Sequence, residues 1–410
     1  MGKIINTEYS MIQGSYWMIF GVICSFASVF LLSKGYSNSE IGIILAAANV
    51  LSVVNQPVVA DFADRTKKIS LIGLSQIMTV MLMVLTLGLF AFEKKNLALA
   101  VIFVMLIAWH TTLQPLVNSL SFKLQETGIN VSFGLARSVG SFLYAVLMAV
   151  LGILVEKKGV SVLPITAEVA MAMLLVSLAV TKHHSDKAKV ANHSISDRRL
   201  SGAEAAAAED TCEPDEEINL IEFIKRNKVF FLLNIGVLGV YFSNAVLNFY
   251  TMQIAVDVGG NSEDLGLILS VMAFLEIPTM LFFNPLRKRF RCETMLKFAG
   301  IMFTVKIGTI FMAKSVTLIY IAQCMQPVSF ALFLPAMVNF INEIMSRGEA
   351  VKGQALYTMM ITVTSVAASI LGGIILDVSG PKMLTLISTV VTGLGALIVV
   401  ASVDKVKHNK

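Results

Sequence analysis

Twelve times along this chain an apolar run of more than twenty residues recurs, and that repetition limits what it can fold into. The runs lie near 9–32, 40–60, 69–92, 97–122, 132–155 and 161–181, then near 229–254, 264–286, 294–313, 316–342, 353–376 and 381–402. Each matches the ~20 residues that a helix needs to cross a bilayer core. Lipid offers no water to the backbone, so a spanning segment is either a helix, bonded within itself, or part of a closed barrel. Barrel strands alternate apolar and polar residues over about ten positions, and these runs do not alternate. Composition agrees: charged residues make up 14% of the chain, against about 25% in soluble proteins. The expected fold is an all-α integral membrane protein with 12 transmembrane helices.

The basic residues orient the spans. With the N-terminus in the cytoplasm, and with Lys297 and Lys382 at span ends counted with the adjoining loops, 23 of the 32 Lys and Arg fall on inner loops and tails, 7 on outer loops and 2 within spans. Positive charge accumulates on the cytoplasmic side of membrane proteins, so both termini are expected inside. The net charge of +5 reflects this loop bias and gives no reason to expect nucleic acid as a partner. The first run starts near Tyr9 and reads as a retained span, since no cleavable signal pattern precedes it. Cys24, Cys212, Cys292 and Cys324 have neither disulfide nor ligand spacing, so no metal and no cofactor is expected.

One hydrophilic stretch, 182–228, interrupts the series. It carries an Ala run at 205–208 and an acidic patch that includes Glu209, Asp210, Glu213, Asp215, Glu216 and Glu217. Such a segment buries too little apolar surface to fold alone. It is read as a cytoplasmic linker, with Ile218 to Lys225 able to form an amphipathic helix and His183, His184 and His193 as solvated residues. The expected organisation is therefore a six-helix bundle over 1–181, the linker, and a second bundle over 229–410.

The two halves repeat one another. Asn38-Ser39-Glu40-Ile41-Gly42 opens the second span and Asn261-Ser262-Glu263-Asp264-Leu265-Gly266 opens the eighth. Each places capping Asn and Ser ahead of an apolar run, and each span leads into a basic loop, at 64–68 and 287–291. Matching position, cap and loop together indicate a duplicated unit giving two pseudo-symmetric bundles. Repeats with a solute site at their interface near the midplane are a transporter architecture.

The stretch GIILAAANVLSVVNQPVVADFADRTKK at 42–68 resembles the corresponding region of the major facilitator superfamily. The similarity is greatest to its lactose-permease-like branch of oligosaccharide–proton symporters, which includes phenylpropionate-permease-like members. Asp64, Arg65 and Lys68 match the superfamily's inner-loop signature, which implies a conformational role for them, while Ala60 and Lys67 replace its glycines. FGLAR at 133–137, Glu276-Ile277-Pro278, AGIMFTVK at 299–306, Gln323 to Phe330 and GGIILDVSGP at 372–381 extend the likeness over both halves.

Charge inside a span costs about 2.5–3.5 kcal/mol at the helix centre and marks functional candidates. Glu276 lies about twelve residues into the eighth span, near the midplane, and a carboxyl there can exchange a proton as its surroundings change. Lys306 is similarly deep in the ninth span. The resemblance implies a proton-coupling network for this pair; a purely structural ion pair is the alternative. Arg137 matches a sugar-binding arginine of the branch, and its five-donor fork suits hydroxyls or a carboxylate. The branch's acidic residue in the fourth span gives way to the region of Asn118 and Ser119, and Gln326 and Ser329 stand where its tenth-span His and carboxylate belong.

Tyr16, Trp17, Asn118, Asn248 and Gln326 join Arg137 as candidate substrate contacts, because aromatic faces stack on rings and amides bond hydroxyls in both directions. His110, beside Trp109 midway along the fourth span, is a candidate cavity residue that titrates near neutrality.

These residues point to a secondary active transporter that imports a small polar solute, first a sugar or oligosaccharide, by proton symport with alternating access. An uncoupled facilitator or exporter is the alternative, as is uptake of a nucleoside or aromatic carboxylate. The sequence contains no HExxH, nucleophile elbow or phosphate-cradling G-x-x-x-x-G-K-[ST] loop, so neither an enzyme nor an ATP-driven pump is expected. The expected partners are the solute, protons and lipid. The expected setting is a bacterial cell membrane, with the chain acting as a monomer.

Overall fold

The computed structural model describes residues 2–66, 69–125, 131–199 and 220–406. Lys67, Lys68, the Ala run and the acidic patch of the linker lie outside the described residues, as does the side chain of Asp64.

The described chain is helical throughout. In order it forms α1 (Gly2–Phe20), α2 (Ala27–Ser33), α3 (Asn38–Arg65), α4 (Leu71–Gly88), α5 (Leu97–Gln125), α6 (Phe133–Lys158) and α7 (Val162–Arg199). The second half holds α8 (Leu220–Arg226), α9 (Lys228–Asp257), α10 (Ser262–Arg289), α11 (Cys292–Phe311), α12 (Val316–Gln323), α13 (Phe330–Ile344) and α14 (Arg347–Ser402). Among the described residues ten stretches are long and apolar enough to cross a bilayer, one of them α12 and α13 taken together, and an eleventh arises if α1 and α2, bent by 42°, form one span. A π-helical turn, Gly21–Ser25, lies at that bend.

Three departures from straight helix shape the bundle. Gly380, at φ +76 in the left-handed region, interrupts α14 just before Pro381. Glycine takes that conformation without steric cost, and the following proline has no N–H to continue the ladder. Between α12 and α13 the chain passes through a 3₁₀ turn, Gln326–Val328, with Pro327 inside it and Ser329 at φ −105, ψ −95. Tyr250 breaks the regular geometry of α9.

The internal repeat is sharper in the structure than in the sequence. Ser37, rather than Asn38 or Ser39, caps α3: its hydroxyl accepts the Glu40 N–H while Glu40 accepts the Ser37 N–H, a capping box. Asn261 and Asp264 form the same reciprocal pair at the start of α10. Asn38 and Ser39 are thereby freed for a partner from the other half. Asp377, on α14, accepts the Asn38 N–H at 3.1 Å, the Asn38 side-chain amide at 2.9 Å and the Ser39 N–H at 2.7 Å. At the equivalent place in the repeat, Glu156 on α6 accepts the Ser262 N–H of α10 at 3.1 Å. A carboxylate at a helix N-terminus meets unpaired N–H groups and the positive end of the helix dipole.

Glycines bring the backbones of both seams together. A Cβ on Gly42 would lie 2.2 Å from the Ser369 carbonyl, and one on Gly373 would lie 2.2 Å from that of Asn38. In the second seam a Cβ on Gly266 would sit 2.4 Å from the Met148 carbonyl, and one on Gly152 would sit 2.6 Å from that of Ser262. The two halves of the chain are thus joined at the end of the bundle that carries residues 34–38, 156–159 and 257–262.

At the opposite end, ion pairs among the described residues stay within each half. Arg65 pairs with Asp61 at 2.6 Å, and Arg287 with Glu343 at 2.8 Å. The His184 ring meets Glu8, which ties α7 to α1; His184 is therefore not simply solvated. A short helix, α8, covers Leu220–Arg226, with Phe223 fully buried and Arg226 3.5 Å from Glu349 of α14.

A cavity lined by both halves

A cavity of about 180 Å³ lies between the two halves of the chain. Five stretches line it, each through helical spacing. Trp17 and Phe20 come from α1, and Arg137, Ser141 and Tyr144 from α6. Asn244 and Asn248 come from α9, Met272, Ala273 and Glu276 from α10, and Gln326 and Phe330 from the broken segment between α12 and α13. Positions three, four and seven apart share a helix face, so the groups on α1, α6, α9 and α10 each follow from one correctly placed residue, whereas the fifth depends on where the tenth span breaks.

On the side contributed by the first half, the Arg137 guanidinium lies 3.8 Å from the centre of the Trp17 ring and donates to the Ser141 hydroxyl at 2.6 Å. Stacking on the ring face uses the planar cation without consuming its donors. Most of the guanidinium fork therefore stays available to a solute. Tyr144 is anchored by a 2.9 Å hydrogen bond with Ser25 at the π-helical bend.

The side contributed by the second half is organised around Glu276. Its Oε1 accepts from Gln326 Nε2 at 2.6 Å, and Gln326 Oε1 in turn accepts from the Lys306 ammonium. Among the described residues Glu276 and Lys306 form no direct ion pair; an amide stands between them. All three side chains are buried. Asn244 and Asn248 are half-buried, and their side-chain amides make no hydrogen bond among the described residues, which leaves two donor–acceptor groups facing the cavity.

The structure brings together Trp17, Arg137, Asn248, Glu276 and Gln326 of the residues expected from sequence, with Lys306 one bond behind. It places three others elsewhere. Tyr16 is buried within the first half, stacked on His110 at 4.5 Å, with its hydroxyl donating to the His110 carbonyl at 3.4 Å. Neither Tyr16 nor His110 lines the cavity. Asn118 also lies off it, accepting from Gln13 at 3.1 Å. Arg65 sits at the end of α3, outside the cavity lining; Lys68 and the side chain of Asp64 are outside the described residues.

Phe20, Ser141, Tyr144, Met272, Ala273 and Phe330 were not singled out by the sequence. Five of them were within reach of it: Ser141 and Tyr144 fall four and seven residues after Arg137, Phe20 three after Trp17, and Ala273 and Met272 three and four before Glu276. Phe330 carries no such signal, because it depends on where the tenth run breaks.

Membrane-spanning helices around a cavity that both halves line, mostly apolar but carrying Arg137, Glu276 and Gln326, are what a solute transporter presents. The chain belongs to the MFS_1 like family, whose model matches residues 9–387. It is 21% identical over 348 residues to the uncharacterized transporter YwbF of Bacillus subtilis (strain 168), covering 84% of this chain and 80% of that protein. Its fold is similar to the crystal structure of the nucleoside transporter NupG, with a TM-score of 0.72 at 11% identity over 97% of this chain and 98% of that one. It is also similar to a bacterial homologue of the human lysosomal transporter Spinster, with a TM-score of 0.65 at 13% identity over 99% and 97% of the two chains.

Proposed function

We propose that this chain imports a neutral, hydroxyl-rich solute, first of all a sugar or short oligosaccharide, by proton symport. The observation that carries the reading is the makeup of the cavity. Free amides at Asn244 and Asn248 and the open fork of Arg137 match vicinal hydroxyls, aromatic faces at Trp17, Phe20 and Phe330 match the apolar face of a ring, and one buried carboxyl, Glu276, adjoins them. The resemblance of FGLAR and Glu-Ile-Pro to the lactose-permease-like branch supports the same substrate class.

The mechanism is alternating access between two six-helix bundles, over 1–181 and 229–410, joined by the linker at 182–228. Twelve spans follow if the bend at Gly21–Ser25 lies within one span and the break at Gly380 separates two. A single 56-residue helix would be about 84 Å long, far beyond a ~30 Å core. Both termini then face the cytoplasm of a bacterial cell membrane, and the inner-loop residues Asp64, Arg65 and Lys68 control rocking. Solute binds at Arg137 and the asparagines, a proton binds at Glu276, and the seams at Asp377 and Glu156 part to expose the cavity to the other side. One chain holds the whole cavity, which suits a monomer.

A second reading is a nucleoside. It draws on the fold shared with the nucleoside transporter NupG and on the number of aromatic rings, since a base offers a larger flat face than a sugar.

Counterflow in proteoliposomes, with radiolabelled lactose, glucose, uridine and phenylpropionate, tests the proposal. Accelerated uptake of a sugar supports it. Counterflow confined to uridine transfers the assignment to nucleosides, and counterflow confined to phenylpropionate overturns the neutral-solute reading.

A further inference from the structure

Gln326 has a different position from every other polar group in the cavity, because both ends of its amide are already engaged. The Lys306 ammonium has donors and no acceptor, so it must meet the amide oxygen, as it does. That contact leaves Nε2 as the only end that can face Glu276, at 2.6 Å from Oε1. The orientation of the amide follows from the chemistry of its neighbours. The residue also sits in the 3₁₀ turn where the tenth span is broken, beside Pro327 and the irregular Ser329. A buried carboxyl on α10 and a buried ammonium on α11 are therefore connected through a side chain on an irregular turn.

We propose that Gln326 is a positioning residue that couples Glu276 to Lys306, so that rearrangement of the broken tenth span governs proton exchange at the carboxyl. This rests on the reading of Glu276 as the proton carrier. With the amide in place, an N–H occupies one carboxylate oxygen, and a proton arriving at that oxygen would confront it. When the turn shifts, or when solute hydroxyls compete for the amide, both the carboxyl and the ammonium lose the group between them. The other charged or titratable groups acting on Glu276 are Arg137 and Tyr144 from α6 and Tyr241 from α9. Among the described residues the hydrogen bond to Glu276 comes from Gln326 and from none of these three.

The chain has two tryptophans, and Trp17 lines the cavity with Glu276. In a full-length Trp109→Phe background, Trp17 is the sole indole, and its fluorescence can be followed against pH in purified protein without any solute. The transition that belongs to Glu276 is the one that Glu276→Gln removes. Gln326→Leu is expected to displace its midpoint by about one pH unit or more, a tenfold change in proton affinity. Lys306→Gln displaces it comparably. The double variant moves it by less than the sum of the two single changes, because part of each change acts through the same hydrogen-bond chain. Should Gln326→Leu fail to fold, Gln326→Asn serves, since its shorter side chain cannot reach both partners. An unmoved midpoint in the Gln326 variant, or additive displacement in the double variant, overturns the coupling role alone. Absence of any transition that Glu276→Gln removes overturns both this role and the assignment of Glu276 as proton carrier.

Discussion

The part of the cavity built from residues 17–144 carries a cation that cannot titrate, whereas the part built from residues 244–330 carries a carboxyl that can. Arg137 is held against Trp17 and Ser141, both from its own half of the chain, and needs no partner across the cavity. Glu276 is held by Gln326, which is itself held by Lys306, all in the second half. Neither charge depends on a partner from the other half. Under the proposed symport, the permanent charge would recognise solute and the exchangeable charge would serve coupling. Where the resemblance to the lactose-permease-like branch implies a fourth-span carboxylate as the partner of Arg137, this chain supplies an aromatic face and a hydroxyl.

Substitution of Arg137 should produce the largest effect on recognition. Arg137→Ala removes a partly desolvated, hydrogen-bonding charge, a change that costs ~2–5 kcal/mol in comparable interfaces. Solute affinity is expected to fall at least about thirtyfold, measured by calorimetry with whichever solute the counterflow panel identifies. Arg137→Lys keeps the charge but loses the planar stack and the fork, and is expected to recover only part of the loss. Full recovery would mean that Arg137 acts as charge alone.

The two seams offer a second contrast, because the repeat has made them alike in place but unequal in strength. Asp377 accepts three hydrogen bonds from the start of α3, and Glu156 accepts one from the start of α10. Bonds to a charged acceptor contribute about 1.5–3 kcal/mol each when buried. Because Asp377 and Glu156 are exposed, solvent reduces each bond to about 1 kcal/mol. Asp377→Ala is expected to speed amide hydrogen exchange at Asn38 and Ser39 by at least about tenfold, and Glu156→Ala to speed it about fivefold at Ser262. Equal effects would show that the glycine contacts, rather than the carboxylates, hold the seams.

The smallest effects are expected at the asparagines. Asn244→Ala and Asn248→Ala each remove one neutral hydrogen-bonding group, worth about 1 kcal/mol, and should weaken solute binding about fivefold in the same calorimetric titration. No change at either position would place the solute elsewhere in the cavity.

The class of fold was legible because apolar run length is a one-dimensional signal, and because a charge in a span announces itself by its cost. Glu276, Lys306 and Arg137 stood out for that reason, and all three lie at or beside the cavity. Tyr16, His110 and Asn118 stood out equally by residue type, yet they face the interior of the first half. Residue type alone does not say which way a helix is turned, and here the rotation of α1 put Trp17 on the cavity and Tyr16 behind it. Cap identity was misread by one position, since Ser37 takes the capping role and leaves Asn38 and Ser39 to bind Asp377. The amide linking Glu276 to Lys306 was not legible at all: it requires α10, α11 and the broken turn at 326–328 to converge, and that convergence is tertiary.

Proton movement on solute addition to proteoliposomes, compared between the native chain and Glu276→Gln, bears most directly on the division between permanent and exchangeable charge. The expectation is that adding the counterflow substrate alkalinises the medium with the native protein. With Glu276→Gln the alkalinisation is lost while counterflow persists, because exchange needs recognition by Arg137 but no net proton. Equal alkalinisation by both proteins, or counterflow without alkalinisation by the native chain, would contradict it.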